Sequence, residues 1–427
     1  MTSSANLSPR RAVVAGPTLS LAERDRRWAG LRRQMGVRGL DAIVVGSFQG
    51  RERLESYLID DFLDSVVVLP IEGDPTVLTF STARASRALE SERRGIQLWV
   101  RDIRIGFGGA RIAEILRNKG LKNRRVGLVG VGPTAGGEAE GLVPHGFYKN
   151  LIAALHDADV VDFTRDFTDF LHVKSEEEIA LIRFGAEVSE QACLAMIDAC
   201  RPGVSEAEVY AEILREIHRW GCDTRYPFLS LQSGPDNISW GAPRWTLRAE
   251  PPRILQRGDL IQAEIHTLYG GQECQVQMSV ALDPVDEEIH ACEAVARKAY
   301  EAGLATIRPG IAFSELFRAM ERPLVESGCW TKTPLAHTVN YGSWGFSAAN
   351  REQLINTREE ALEVGLDPET LMLNGDMELK EGMALELEPN ACRGTKRVNI
   401  GGIVLVTASG VEELNRISTR VHHAGLD

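Results

Sequence analysis

Two segments of this sequence place a carboxylate at the same point after the same kind of turn. Gly258-Asp-Leu-Ile-Gln-Ala-Glu264 and Gly382-Met-Ala-Leu-Glu-Leu-Glu388 each leave a glycine turn, run into an apolar strand and reach a glutamate six residues on. A second pair of segments repeats with them. Arg201-Pro-Gly203 followed by Ser205 and Glu208 returns as Arg308-Pro-Gly310 followed by Ser314-Glu315, each time between two helical patterns. The copies lie 107 and 124 residues apart, as expected of two related halves with different insertions. Glutamates at equivalent strand positions of two such halves face each other across a pseudo-twofold cleft. Crowded carboxylates do not ionise equally, so one can hold a proton while the other keeps its charge, a basis for acid–base chemistry.

The elements that must carry them divide the chain in two. Over the first 165 residues, short apolar strands (AIVV at 42–45, SVVVLP at 65–70, TVLTF at 76–80, QLWV at 97–100, RVGLVG at 125–130) alternate with helical patterns at 83–92 and 109–120. Ser20-Leu-Ala-Glu23 opens a further helix that ends near Gly36 or Gly39. This is an α/β domain on a mixed or parallel sheet. Gly130-Val-Gly132 follows a strand as a dinucleotide fingerprint does, but Pro133-Thr134-Ala135 stands where a third glycine and a helix start are needed. A tight strand-to-loop turn explains it better. Ser175-Glu-Glu-Glu178 is a capping box for a long amphipathic helix, with acidic residues suited to the positive end of the helix dipole. The expected boundaries are 1–170 and 171–427.

The chain has 427 residues and a formal net charge of −12, with no basic run, so nucleic acid and anionic membrane surfaces are not expected partners. No apolar run reaches the ~18 residues of a membrane span, and the apolar stretch after Arg10-Arg11 is too short for a secretion signal, so a cytoplasmic protein is expected. Seven cysteines all fall after residue 190 without CxxC spacing, and reduced core thiols are the expectation.

Six segments in order (KSEEEIALIRFGAEVSEQA, RPGVSEAEV, LQRGDLIQAEI, the stretch around His337, LKEGMALELEPN and GGIVLVTASG) resemble the second domain of the creatinase, prolidase and methionine-aminopeptidase superfamily. RRWAGLRRQMGVRGLDAIVVGS resembles the accessory domain of creatinase and prolidase. The resemblance covers nearly the whole chain and implies a creatinase-like N-terminal α/β domain followed by a pseudo-twofold "pita-bread" domain. It also implies a homodimer acting on a small molecule.

In the peptidases of that superfamily an Asp, Asp, His, Glu, Glu set holds two metal ions, which activate a bridging water. By resemblance, Glu264 stands at the first position, Gln275 at the second, His337 at the third and Glu388 at the fourth, while the last falls on Gly401-Gly402. A neutral amide and a glycine cannot complete an ordinary dinuclear site. His266 and Glu273, each two residues from a site position, share a strand face with it and leave open a shifted mononuclear site of Glu264, His266, Glu273, His337 and Glu388. A strand-end polar pair is the plainer account of His266 and Glu273, since 269–273 also looks like a turn. The histidine that creatinase carries before the Gly-Asp turn is absent here. Trp240, Arg244 and Trp245 stand in its place, either as packing or as a carboxylate and planar-group subsite.

Three functions follow. The first is a metal-independent, cofactor-free hydrolase or lyase cleaving a C–N bond. In it His337 is the proton shuttle, Glu264 and Glu388 orient it or share its work, and Gln275 and Gln277 give neutral hydrogen bonds. Cys274 is a poor nucleophile for want of a base. The second is a metalloenzyme related to Xaa-Pro peptidases with a shifted metal. The third is an inactive binding protein. The segment 344–376, longer than the resemblance implies, is an added helix and loop, either a surface excursion or a lid.

Overall fold

The computed structural model describes residues 15–46, 48, 53–121, 124–132, 141–224, 229–332, 334–341, 355, 357–366 and 375–424. The chain begins with α1 (Leu21–Arg38), β1 (Ala42–Gly46), α2 (Ser56–Ile59), β2 (Ser65–Pro70), β3 (Thr76–Thr79), α3 (Thr82–Arg93) and β4 (Ile103–Ile105). It continues with α4 (Gly109–Lys119), β5 (Arg125–Leu128), α5 (His145–Ala154), β6 (Asp159–Asp162) and α6 (Thr164–His172). Ser20 caps α1 by accepting from Glu23 N, and Gly39 closes it in the left-handed conformation at φ 63°. The six strands form one sheet in the order β4-β3-β2-β1-β5-β6. Two of its pairings are antiparallel (β1 with β2, β2 with β3) and three parallel, so the sheet is mixed.

Residues 97–100 are not a strand. Trp99 and Val100 enter the core from irregular backbone, and the pairing falls to β4, whose side chains are only partly buried. Apolar content marked burial there correctly and secondary structure wrongly. At Gly130-Val-Gly132 the backbone N–H groups of Gly130 and Gly132 both donate to Thr164 Oγ1, at 2.9 and 3.4 Å. They are spent on the turn and offer nothing to a phosphate. Residues 133–135 lie outside the described residues.

The rest of the chain contains α7 (Glu176–Ala199), α8 (Glu206–Arg219), β7 (Ser230–Gly234), α9 (Arg244–Leu247), β8 (Leu260–Tyr269) and β9 (Gln272–Leu282). Then come α10 (Glu287–Thr306), α11 (Phe313–Glu326), β10 (Ala336–Thr338), α12 (Arg358–Glu363), β11 (Ala384–Leu387), β12 (Asn390–Arg393) and β13 (Lys396–Asn399). The last strands are β14 (Gly402–Thr407), β15 (Gly410–Glu413) and β16 (Val421–Ala424). One sheet runs β16-β9-β8-β7 and a second runs β10-β11-β14-β15, with β12-β13 as a separate ribbon. The pseudo-repeat is visible in the order of elements: a helix pair, α7-α8 or α10-α11, precedes each sheet.

Ser175 and Ser205 both make full capping boxes, at α7 and α8. The matching position of the second half differs. Helix α11 starts at Phe313, one residue before Ser314, so Ala312 is its cap residue and Glu315 accepts from Ala312 N at 3.2 Å. Half of the capping box survives. The two parts of the molecule are joined at Glu178, which caps Ser175 and takes Arg27 at 3.0 Å and Arg26 at 2.8 Å. Arg27 is fully buried, and Gln272 at the start of β9 donates to the same carboxylate at 3.1 Å. A buried guanidinium needs every such partner, because its desolvation is not otherwise recovered.

Candidate active site

Alternation along two paired strands builds the site. In β8 the residues Gln262, Glu264 and His266 share one face, and in β9 the residues Glu273, Gln275 and Gln277 do. The antiparallel register sets Glu264 opposite Gln277 and His266 opposite Gln275. Ser230 of β7 lies opposite Glu264 on its other side. From the second half, β10 and β11 set His337 opposite Glu386, and Glu388 follows directly after β11. The Glu388 backbone N–H donates to Leu335 O at 2.8 Å. The halves meet where Gln277 N donates to Gly401 O at 3.1 Å.

Glu264 is 5 % exposed and accepts hydrogen bonds from four side chains. Gln277 Nε2 donates to it at 2.9 Å and Ser230 Oγ at 3.3 Å, with the Gln275 amide and the Trp240 indole completing the set. Burial pushes its pKa up, but the His266 charge and these donors outweigh that and hold it at about 2. It is a fixed anion near neutral pH, which excludes it as a proton donor.

His266 lies between two carboxylates, with Nδ1 2.8 Å from Glu273 Oε1 and Nε2 3.6 Å from Glu264 Oε2. Two carboxylates beside one imidazole favour its protonated form. Burial opposes the charge, yet Glu264 and Glu273 together raise the His266 pKa. Glu273 belongs to β9 and not to a turn, because the turn consists of Gly270 and Gly271 alone. His266 and Glu273 are therefore interior members of the site network.

Gln277 joins the halves chemically. Its Oε1 accepts from Asn399 Nδ2, which fixes the orientation of the amide and aims Nε2 at Glu264 and Glu388. His337 keeps its Nδ1 3.0 Å from the backbone carbonyl of Thr338, so Nδ1 carries hydrogen. Its Nε2 lies 3.4 Å from Glu388 Oε1. The His337 side chain retains 14 % exposure, against 3 % for His266, and is the histidine that solvent reaches.

A cavity of about 470 Å³ opens over this network, lined among others by Glu264, Glu388, Arg397, Lys332, Trp240 and Trp330. Arg397 is 3 % exposed, and its hydrogen bonds go to Asn237 O, Gln262 Oε1, Asn390 Oδ1 and Ser239 O, all neutral. Burial lowers its pKa, with Glu264 and Glu388 acting the other way. Burial, with Arg397 nearby, also brings Lys332 down to about 8. Helix α12 and its flanking residues supply Thr357, Ala361 and Leu366 to the cavity wall. That is the described part of the added segment; its remainder, including Trp344, lies outside the described residues except for 355, 375 and 376.

Two of the tryptophan–arginine positions belong elsewhere. Arg244 is exposed and pairs with Glu250 at 3.2 Å, while Trp245 donates to Glu206 at 3.2 Å and packs on the edge of Tyr210. Only Trp240 reaches the cavity. Cys274 is fully buried with Sγ against Ile182 O at 3.1 Å, and burial raises its pKa well above the usual thiol range. It is no nucleophile. All seven cysteines are buried and free.

Sequence reasoning missed Glu386. Its carboxyl is fully buried, neither oxygen has a hydrogen-bond partner among the described residues, and burial followed by Glu388, Glu264 and Glu273 drives its pKa well above normal. The carboxylate raised by crowding is thus Glu386, while Glu264 moves the other way. Alternation in GMALELEP would have found it, as alternation in KRVN would have found Arg397 and Asn399.

Residues 180–408 match metallopeptidase family M24. This chain belongs to metallopeptidase family M24. Over 421 residues it is 23% identical to a creatinase from Bacillus sp., covering 95% of this chain and 94% of that one. A methionine aminopeptidase from Helicobacter pylori is 27% identical over 228 residues, 52% of this chain and 83% of the relative. The crystal structure of an X-Pro aminopeptidase from Thermotoga maritima superposes with TM-score 0.72 at 16% identity, covering 93% of this chain and 99% of that one. This last likeness establishes the M24 pita-bread fold.

The two-metal site that gives the family its name does not fit these residues. At the second ligand position that the resemblance gives, Gln275 Nε2 donates to Glu264 and the amide brings no negative charge to bridge two ions. At the fifth position the backbone itself has closed in. A Cβ on Gly401 would lie 2.0 Å from Leu387 O and 3.0 Å from Glu388 Cα. Nor do Glu264, His266, Glu273, His337 and Glu388 form a mononuclear set. Among the described residues, the group whose three donors lie within 4.8 Å of one another is His290, Glu293 and His423.

Proposed function

We propose that this M24-family protein is a metal-independent hydrolase that cleaves a C–N bond in a small polar molecule. The reading is carried by Gln277, whose amide N–H groups link Glu264 and Glu388 across the halves. A neutral hydrogen-bond donor there holds together two carboxylates that metal ions bind in the peptidases.

In this account His337 Nε2 starts unprotonated as the general base, and Glu388 beside it stabilises the imidazolium formed when it takes a proton. His337 takes a proton from water as the water adds to the substrate carbon. The same proton passes to the nitrogen as the C–N bond breaks. Glu264, fixed as an anion, and Arg397 with Lys332, as cations, suit the two ends of a zwitterion. Trp240 and Trp330 suit a planar group between them. The likeness to a creatinase over almost the full length supports a small guanidino or ureido acid over a peptide.

The experiment is turnover of a panel of such acids, followed by nitrogen product release, with Xaa-Pro dipeptides as the comparison. His337→Ala and Glu388→Gln are each expected to lower kcat by about 10²- to 10⁴-fold, the usual contribution of a positioned acid–base group. Full turnover by both variants would remove the assignment.

A further inference from the structure

A second cluster of ligand-type side chains lies on α10 and β16, and none of its members lines the cleft cavity. His290 and Glu293 stand three residues apart on α10 and so share a face of the helix. Parallel pairing of β16 with β9 sets His423 opposite Ala281 and brings it alongside. The rings of His290 and His423 stack with centroids 5.8 Å apart and planes 19° apart. One donor atom from each of the three residues lies within 4.8 Å of the other two.

Two further contacts prepare the donors. Asp283 Oδ2 lies 2.7 Å from His423 Nδ1, which places hydrogen on Nδ1 and leaves Nε2 as the lone-pair nitrogen. A carboxylate behind a coordinating imidazole is the usual support of a metal-bound histidine. Glu293 Oε1 accepts from Val421 N at 2.9 Å, so the β16 backbone orients the carboxylate. Closing the three donors to the ~3.3–3.6 Å spacing implied by zinc–ligand bonds of about 2.0–2.2 Å takes a small side-chain movement.

We propose that His290, Glu293 and His423 bind one divalent transition-metal ion of the zinc type, with Asp283 as the partner of His423 and solvent in the remaining position. Two imidazoles and one carboxylate select such an ion over magnesium or calcium, which require mainly oxygen ligands. The ion ties the C-terminal strand β16 to α10. Since β16 flanks β9, the strand of Gln275 and Gln277, it braces the outer edge of the sheet that forms the cleft floor.

The test uses the full chain, stripped with a chelator and titrated with Zn²⁺ by calorimetry and with Co²⁺ by visible absorption. One equivalent is expected, with a tetrahedral or five-coordinate Co²⁺ spectrum and a rise in Tm on loading. His290→Ala, at an exposed helix position, is expected to abolish that uptake, and Asp283→Asn to weaken it about 10- to 100-fold. A His337→Ala/Glu388→Gln variant is expected to bind as the wild type does. Absence of stoichiometric uptake by the wild type, or unchanged binding in His290→Ala, overturns the proposal. So does loss of binding in the cleft variant, which would move the ion to the cleft. His423→Ala is likewise expected to abolish uptake; should it fail to fold, the His290→Ala result decides.

Discussion

His266 Nδ1 lies 2.8 Å from Glu273 Oε1, inside a pair of strands that buries both residues. Glu264 lies on its other side, so two carboxylates favour a charge on the imidazole that burial opposes. Its folded-state pKa is raised above the ordinary 6.5, so its stabilisation is complete below pH ~6.5 and is lost as pH rises through the raised value. Glu264 acts in the opposite sense. Its folded pKa of about 2 lies below the usual 4.5, so its contribution is present above pH ~4.5 and lost as pH falls towards 2.

Difference scans of Tm for wild type against His266→Gln, from pH 5 to 9, isolate the histidine from other buried groups such as Lys174. The gap is expected to be widest at pH 5–6 and to narrow on the alkaline side. A constant gap would mean that folding leaves the pKa of the histidine unchanged, and a gap that shrinks towards pH 5 would mean that it is buried neutral.

Gln277→Glu places a third carboxylate against Glu264 and Glu388 and removes the N–H groups they share. A loss of roughly 2–4 kcal/mol at pH 7 is expected, from lost charge-assisted hydrogen bonds and an unpaired buried charge. The new carboxyl has a raised folded pKa, so the loss shrinks below pH ~5, where it is protonated. Urea unfolding at pH 4.5 and pH 7 measures the difference. Equal losses at both values would contradict the proximity of the three groups.

By the resemblance the family's final carboxylate pair falls on Gly401-Gly402, and Leu387 O lies 2.0 Å from where a Cβ on Gly401 would stand. Gly401→Ala is expected to destabilise by about 1–3 kcal/mol through backbone displacement. Gly401→Glu is expected to cost more without restoring a two-metal centre, because Gln275 still brings no charge to bridge two ions. Chemical denaturation and metal content measure the two effects. A folded Gly401→Glu variant holding two further ions would show that the backbone yields easily.

Much of the fold was legible in the sequence, and the reasons are local. Ser20, Ser175 and Ser205 mark helix starts by chemistry that operates within one turn, and the glutamate echo at 264 and 388 marked the two halves. Residues 97–100 misled because an apolar run reports burial, while pairing depends on distant backbone. The start of α11 shifted by two residues because Ile311 and Phe313 are buried, and core packing outweighs a serine cap. In the site, period-two alternation correctly put His266 on the face of Glu264. Lys332 and Trp330 were invisible because they come from segments that only tertiary packing brings to the cavity. Arg244 and Trp245 adjoin Trp240 in sequence, but α9 directs them to Glu250 and Glu206 instead.

The central claim, that neutral donors have replaced the metal ions in an inherited cleft, is tested most directly by C–N bond cleavage before and after exhaustive chelation, with and without added Mn²⁺. Unchanged kcat in the stripped protein and no gain with Mn²⁺ are the predicted result. Loss of turnover on chelation and its recovery with Mn²⁺ in the His290→Ala background would contradict it.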